Sequence, residues 1–263
     1  AAYEWRYNYH IPRWFPLVVL LSFGGLLVKL LLDAAFVLLA GGAWSEGYSG
    51  VWLVVGCVQV AFLPTAVLGF FFTNFRHVSP GANDNLSGCF VASEFAGALH
   101  AAGVRLQHTE LMVCLTGAEE AGLRGAKAWT RAHRDALKDV ETIFVALDTF
   151  RDLPHLKVYN RDMNGITPHD ASVCALLRQA GTDVGRDLPY ATIPLGASDA
   201  AAATQGGLRA GCLAAMDPAP ADYYHDRRDN ADNMDHGCVA AVLEVVAAAV
   251  ARYDAEGLAC AEG

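Results

Sequence analysis

A chain of 263 residues, 54% of them hydrophobic, carries 19 basic against 28 acidic side chains, for a formal net charge of -9. That balance leaves no basic footprint for nucleic acid, and the length holds an apolar hairpin plus one soluble core of ordinary size. Seven cysteines, scattered without a Cys-x-x-Cys pair, suit reduced core thiols better than a disulfide framework or a zinc knuckle.

The first third faces a different solvent problem from the rest. From Trp14 to Ala40 the residues are nearly all apolar, interrupted by Lys29 and Asp33, and from Val51 to Phe72 only Gln59 and Thr65 are polar. As helices rising about 1.5 Å per residue, both runs are long enough for a bilayer core of roughly 30 Å. The expectation is a transmembrane helical hairpin, with a buried soluble hairpin as the alternative. Lys29 and Asp33 are four apart, on one helix face, where they can neutralise each other. The connector GGAWSEGYSG has no Lys or Arg and carries Glu46, whereas Arg6, Arg13 and Arg76 flank the runs. The positive-inside rule therefore predicts that the remainder of the chain is cytoplasmic.

Beyond the hairpin, helical and strand-like runs alternate. The pattern predicts helix Leu86 to Ala102, strand His108 to Thr116, helix Leu123 to Leu137, strands Thr142 to Leu147 and Leu156 to Asn160, and helix Pro168 to Ala180. A strand Tyr190 to Pro194, a helix after Ser198, a strand Cys212 to Met216 and a helix Cys238 to Tyr253 complete the order. This predicts a three-layer α/β fold with a mixed central sheet and functional groups at strand ends. The domains are then 1–13 as a remnant, 14–73 as the hairpin and 74–263 as the α/β domain.

Four loops carry the chemistry. Adjacent Glu119 and Glu120 close an apolar run in LMVCLTGAEEAGLRGAK, Asp84 sits in the Pro-Gly loop SPGANDNLSG, Asp148 ends IFVALDTF, and His225 lies in DYYHDRRDNADNMD. Neighbouring acids repel and are tolerated best beside a cation, although acids in a first helical turn also favour the helix dipole without any function. Carboxylates with an imidazole are a donor set for a divalent metal such as zinc, and a bridging carboxylate can hold two ions.

From about Ser79 to the last helix, PGANDNLSG, AEEAGLRGAK, LDTF, GASDAAAATQGG and YYHDRRDNADNMD resemble, in order, the co-catalytic dizinc aminopeptidases of peptidase family 28, relatives of aminopeptidase Y and glutamate carboxypeptidase. The resemblance implies a zinc-exopeptidase (phosphorylase/hydrolase-like) fold and two Zn2+ ions. It makes Asp84 the bridging carboxylate, Glu119 the general base, Glu120 and His225 ligands of one zinc and Asp148 a ligand of the other. Tyr224 matches an oxyanion-stabilising tyrosine and Asp199 an acid of the substrate pocket, with helix capping by Ser198 and Asp199 as the competing reading. A cis peptide at Asp84–Asn85 is also implied.

The His-x-Asp motif that precedes the bridging aspartate in the family has no counterpart between Ala1 and Ser79, where neither His10 nor His77 has an aspartate two residues on. The start Ala1-Ala2-Tyr3-Glu4 resembles the tail of His-His-Asp-Ser-Ala-Tyr-Glu in membrane-inserted relatives. The expectation is a fragment cut just downstream of a histidine ligand, hence inactive by itself. His100, His108, His133, His155, His169 and His236 read as surface or loop histidines, and Arg227 and Arg228 as a solvated face. The functional expectation is a membrane-anchored dizinc exopeptidase, foremost an aminopeptidase, with a peptide substrate and the lipid bilayer as partners. The alternatives are an inactive binding module and a single-zinc acyltransferase similar to glutaminyl cyclases. Substrate preference and oligomeric state are not legible.

Overall fold

Both long apolar runs fold as helices, α1 (Phe15–Leu39) and α2 (Val51–Ala61). They lie between two short strands, β1 (Tyr3–Trp5) and β2 (Thr73–Val78), that pair antiparallel. The computed structural model describes residues 3–5, 15–39, 50–61, 63–64, 67, 73–193, 196–217 and 221–261. The chain divides into two compact units, Tyr3–Val78 and Ser79–Gly263. The first begins eleven residues before and ends five residues after the hairpin expected at 14–73, and it includes β1 and β2.

Within the first unit the few polar side chains of the runs find one another. Lys29 Nζ lies 2.6 Å from Asp33 Oδ2 and 3.4 Å from Gln59 Oε1 on α2, while Leu30, Leu31, Leu38, Val54 and Val60 are exposed. Among the described residues no helix is long and apolar enough to cross a membrane, and several side chains toward the start of α1 lie outside that set. The described part therefore does not support the expected crossing. The connector at 40–49 and the flanking His10, Arg6 and Arg13 also fall outside the described residues.

The second unit is built on a mixed five-stranded sheet. Its strands are β3 (Ile143–Phe150), β4 (Leu156–Asp162), β5 (Thr167–Pro168), β6 (Tyr190–Thr192) and β7 (Arg209–Ala215), in the order β3-β7-β4-β5 with β6 also on β4. β3 runs parallel to β7, and β7 antiparallel to β4. One face is covered by α3 (Ser87–Ala101), α5 (Ala171–Asp183) and α7 (His236–Glu256), whose Val91, Leu176, Leu177, Val242 and Val245 bury completely against Phe150, Val158 and Leu213. Full burial of such a side chain contributes about 1.5–3 kcal/mol. The other face holds α4 (Arg124–Leu137) and α6 (Asp199–Gln205). Small side chains set that packing, since Ala200 and Ala203 meet the sheet while Ala201 and Ala202 meet Leu123 and Ala126. This is the expected three-layer arrangement.

Two boundaries move for local reasons. The helix expected from Pro168 begins at Ala171 because the Asp170 side chain caps it, accepting from Val173 N at 3.0 Å. The final helix starts at His236 because Asp235 accepts from Gly237 N and Cys238 N. The expected strand His108 to Thr116 is corrected: it belongs to no ladder. A cleft of about 420 Å³ lies between it and β3, with Phe95, Met112, Cys114, Phe144 and Ala146 among the residues that line it. Backbone groups kept apart by a cleft cannot make the hydrogen bonds that define a strand. The described cysteines, Cys57, Cys89, Cys114, Cys174, Cys212 and Cys238, are free thiols, as expected.

Candidate metal centre

Asp84 sits in an irregular turn, Ala82–Leu86, that leads into α3, and the Asp84–Asn85 peptide is cis as the resemblance implied. Buried Asp229 holds this loop, accepting from Asn83 N at 2.7 Å and from Asp84 N at 3.1 Å. Asn85 ties it to the end of β3: its Nδ2 donates to Leu147 O at 2.7 Å and its Oδ1 accepts from Thr149 N at 3.1 Å. Gly88 is needed beside this clamp, because a Cβ there would lie 2.3 Å from Leu147 O.

Glu119 and Glu120 occupy a loop laced to the start of α4. Leu123 N and Gly122 N donate to Glu119 O, Arg124 N to Ala118 O, and Gly125 N to Gly117 O. Gly125 is required here too, since its Cβ would meet Gly117 O at 2.4 Å. Ala118, Thr149 and His225 adopt left-handed φ values of 56°, 51° and 52°. Each costs a non-glycine residue on the order of 1–3 kcal/mol, and each adjoins or is a sequence-predicted site residue.

These loops bring the predicted groups together. His225 Nε2 lies 3.2 Å from Asp84 Oδ2 and 3.1 Å from Glu120 Oε1, and one donor atom from each of the three falls within 4.8 Å of the others. The other Asp84 oxygen faces Asp148: Thr149 Oγ1 lies 3.4 Å from Asp84 Oδ1 and donates to Asp148 Oδ1 at 3.1 Å. Asp84 thus offers one oxygen to each side. Tyr224 stacks on the His225 ring at 4.0 Å. Asp199, the first residue of α6, accepts from the Thr116 hydroxyl and borders the cleft with Glu119 and Asp148.

The electrostatics of the cluster follows from its burial and its crowded carboxylates. Burial, with the charges of Asp148, Glu120, Asp84 and Asp199, pushes the Glu119 carboxyl up to about 8. Burial and the Asp84 charge raise Asp148 as well. Burial opposes a proton on His225, yet hydrogen bonds to Asp84 and Glu120 outweigh it and hold the imidazole up at about 9. Burial and the same carboxylates push the Tyr224 phenol above its ordinary range. So much converging negative charge is tolerated with a cation in its midst. Two carboxylates and an imidazole are a three-ligand set for zinc, which leaves a fourth position open. The residues present fit that ion.

Sequence reasoning missed the supports. Asp229, Asn85, Thr149 and Thr116 touch the predicted residues directly, and only the density of polar residues in DYYHDRRDNADNMD hinted at the first. Arg228, read as a solvated face, instead chelates buried Asp226 through Nε at 3.1 Å and Nη2 at 3.2 Å. His169, read as a surface or loop histidine, has no exposed side-chain surface and lies 3.2 Å from equally buried Asp162. Ser198 occupies the N-cap position of α6 without capping it.

Residues 69–250 match the family model described as Peptidase family M28. The chain belongs to peptidase family M28. Among solved structures, it is similar to an aminopeptidase from Aneurinibacillus sp. strain AM-1, with 27% identity, a TM-score of 0.55, and coverage of 66% of this chain and 40% of that one. It is similar also to BSAP, a zinc aminopeptidase from Bacillus subtilis, with 26% identity, a TM-score of 0.55 and coverage of 67% and 42%. A glutaminyl cyclase from an Acidobacteriales bacterium shares the fold at 17% identity, with a TM-score of 0.52 and coverage of 67% and 63%. This M28 chain spans about two-fifths of the length of the two aminopeptidases. No curated protein matches it in sequence.

Proposed function

We propose that this M28 chain carries the catalytic groups of a membrane-anchored dizinc aminopeptidase. The observation that carries the reading is the convergence of Asp84, Glu120 and His225 within 4.8 Å, with Glu119 beside them. Asp84, Glu120 and His225 would hold one zinc, and Asp84 with Asp148 the other. When bound, such ions lower the pKa of water and polarise a scissile carbonyl. Glu119 takes the attacking water's proton and delivers it to the leaving amine, a general-base then general-acid role. The Tyr224 hydroxyl, kept protonated by its surroundings, donates to the oxyanion. Asp199 lines the substrate side of the cleft. Retention of all five groups, Asp84, Glu119, Glu120, Asp148 and His225, argues against an inactive binding module.

We further propose that an extended segment carrying one more histidine ligand fills the cleft between residues 108–116 and β3. The apolar lining and the unladdered backbone of residues 108–116 support this, as does the presence of Asp148 in the lining of the same cleft. A crystal structure of the intact protein should show such a segment in the cleft, and a cleft left open there contradicts it. For the hairpin, support comes from the exposed apolar side chains of α1 and α2 and from the Lys29–Asp33 pair. The flanking arginines favour a cytoplasmic M28 domain.

A second reading, a single-zinc acyltransferase of glutaminyl-cyclase type, is favoured by one observation: among the described residues, one group of three ligands meets the spacing for an ion. Zinc per chain, measured together with turnover of an aminoacyl-nitroanilide and of a glutaminyl peptide, separates the two. Two zincs with nitroanilide hydrolysis support the aminopeptidase. One zinc with cyclisation of the glutaminyl peptide replaces it.

A further inference from the structure

Helix α6, which bears Asp199 as its first residue, is gripped at both ends by one buried pair. Asp162, the last residue of β4, accepts through Oδ2 from both the backbone N and the hydroxyl of Ser198, each at 2.8 Å. Its Oδ1 lies 3.2 Å from His169 Nε2, an ion-pair distance without hydrogen-bond alignment, since neither atom has a hydrogen-bond partner among the described residues, and neither side chain has exposed surface. His169 Nδ1 in turn pairs with Thr204 Oγ1 at 3.0 Å, near the far end of the same helix. A serine at an N-cap normally spends its oxygen on the helix, worth about 1 kcal/mol. Ser198 directs its hydroxyl to Asp162 instead. Burying an aspartate and a histidine together is likewise a weak source of stability compared with apolar packing, and its best-attested use is to specify one arrangement.

What the arrangement specifies is the position of Asp199. One of its oxygens accepts from Thr116, and the other, Oδ1, is buried without a hydrogen-bond partner among the described residues. A short helix that shifted by an ångström would carry that oxygen away from the cleft shared with Glu119. We propose that Asp162 and His169 are positioning residues that clamp α6 through Ser198 and Thr204 and so hold the Asp199 carboxylate at the substrate end of the metal centre. The inference rests on the aminopeptidase reading for its consequence in catalysis, and for the clamp on the hydrogen bonds to Ser198 and Thr204 together with the close buried approach of Asp162 to His169.

Thr204→Val removes one tether while preserving shape, and Thr204→Ser restores the hydroxyl. In the intact protein, Thr204→Val should lower kcat/KM for an aminoacyl-nitroanilide by about tenfold, since misplacement by 1 Å can cost about 10², with zinc per chain unchanged. Thr204→Ser should recover most of the loss. Added to Asp199→Asn, Thr204→Val should cause little further loss, because both act through one carboxylate. Unchanged kcat/KM in Thr204→Val, or full additivity with Asp199→Asn, overturns the proposal. Crystal structures of the parent and Thr204→Val proteins supply a readout independent of turnover: the Thr116–Asp199 hydrogen bond should be lost or displaced, and its retention in place overturns the clamp. A parent protein that hydrolyses no aminoacyl-nitroanilide sinks the aminopeptidase reading, while the crystallographic comparison still decides the clamp.

Discussion

Replacing Glu119 by Gln removes a titrating group and little else, so it isolates both the electrostatics and the proposed chemistry of this carboxyl. Its proton affinity is raised from 4.5 to about 8, which at about 1.4 kcal/mol per pH unit corresponds to a few kcal/mol of repulsion and desolvation in the metal-free protein. The sign follows from linkage. A carboxyl whose folded value lies above its unfolded value costs nothing below pH 4.5 and costs progressively more as pH rises through about 8. Metal-free Glu119→Gln should therefore melt with the parent near pH 4.5 and above it at pH 8–9. Catalysis should move oppositely: general acid-base action supplies about 10²–10⁴ in rate, or about 3–5 kcal/mol of barrier. Turnover of an aminoacyl-nitroanilide by the zinc-loaded variant should fall by that factor while zinc per chain holds. An active Glu119→Gln enzyme, or a metal-free variant no more stable at pH 9, refutes the assignment.

Other outcomes separate the neighbouring groups. Glu120→Gln should lose zinc as well as activity, because its oxygen stands 3.1 Å from His225 Nε2 within the ligand set; metal retention equal to that of Glu119→Gln reverses the two roles. Zinc affinity, measured by competition with a chelating dye, should weaken as pH falls below about 9, where the His225 proton must be displaced; a flat profile from pH 6 to 9 contradicts the raised imidazole. Gly88→Ala should cost more than 1 kcal/mol in chemical denaturation, since its Cβ would lie 2.3 Å from the Leu147 carbonyl, and an unaltered midpoint shows that α3 can move off β3. Thiol labelling of intact cells should modify a cysteine placed at Ser45 and spare Cys89, and the opposite pattern inverts the proposed orientation.

The layered fold was legible because its helices and central strands repeat apolar residues at diagnostic spacings, and Ala200–Ala203 form a helix interior as read. Residues 108–116 were misread for a physical reason. Their composition suits a strand, but a strand exists only through its neighbours, and the cleft beside β3 supplies none among the described residues. The predicted ligands Asp84, Glu120 and His225 meet as expected because each closes a recognisable loop. Their supports were hidden: Asp229 and Asn85 act through backbone groups distant in sequence, and His169 was indistinguishable from a surface histidine until folding brought it to Asp162.

Anomalous diffraction at the zinc edge, from crystals of the intact protein grown with zinc, tests the metal centre most directly. Two peaks flanking Asp84 are expected, one bounded by Glu120 and His225 and the other by Asp148. A single peak at the first position would transfer the chain to the one-zinc reading, and the absence of any peak at Asp84 would contradict the metal centre itself.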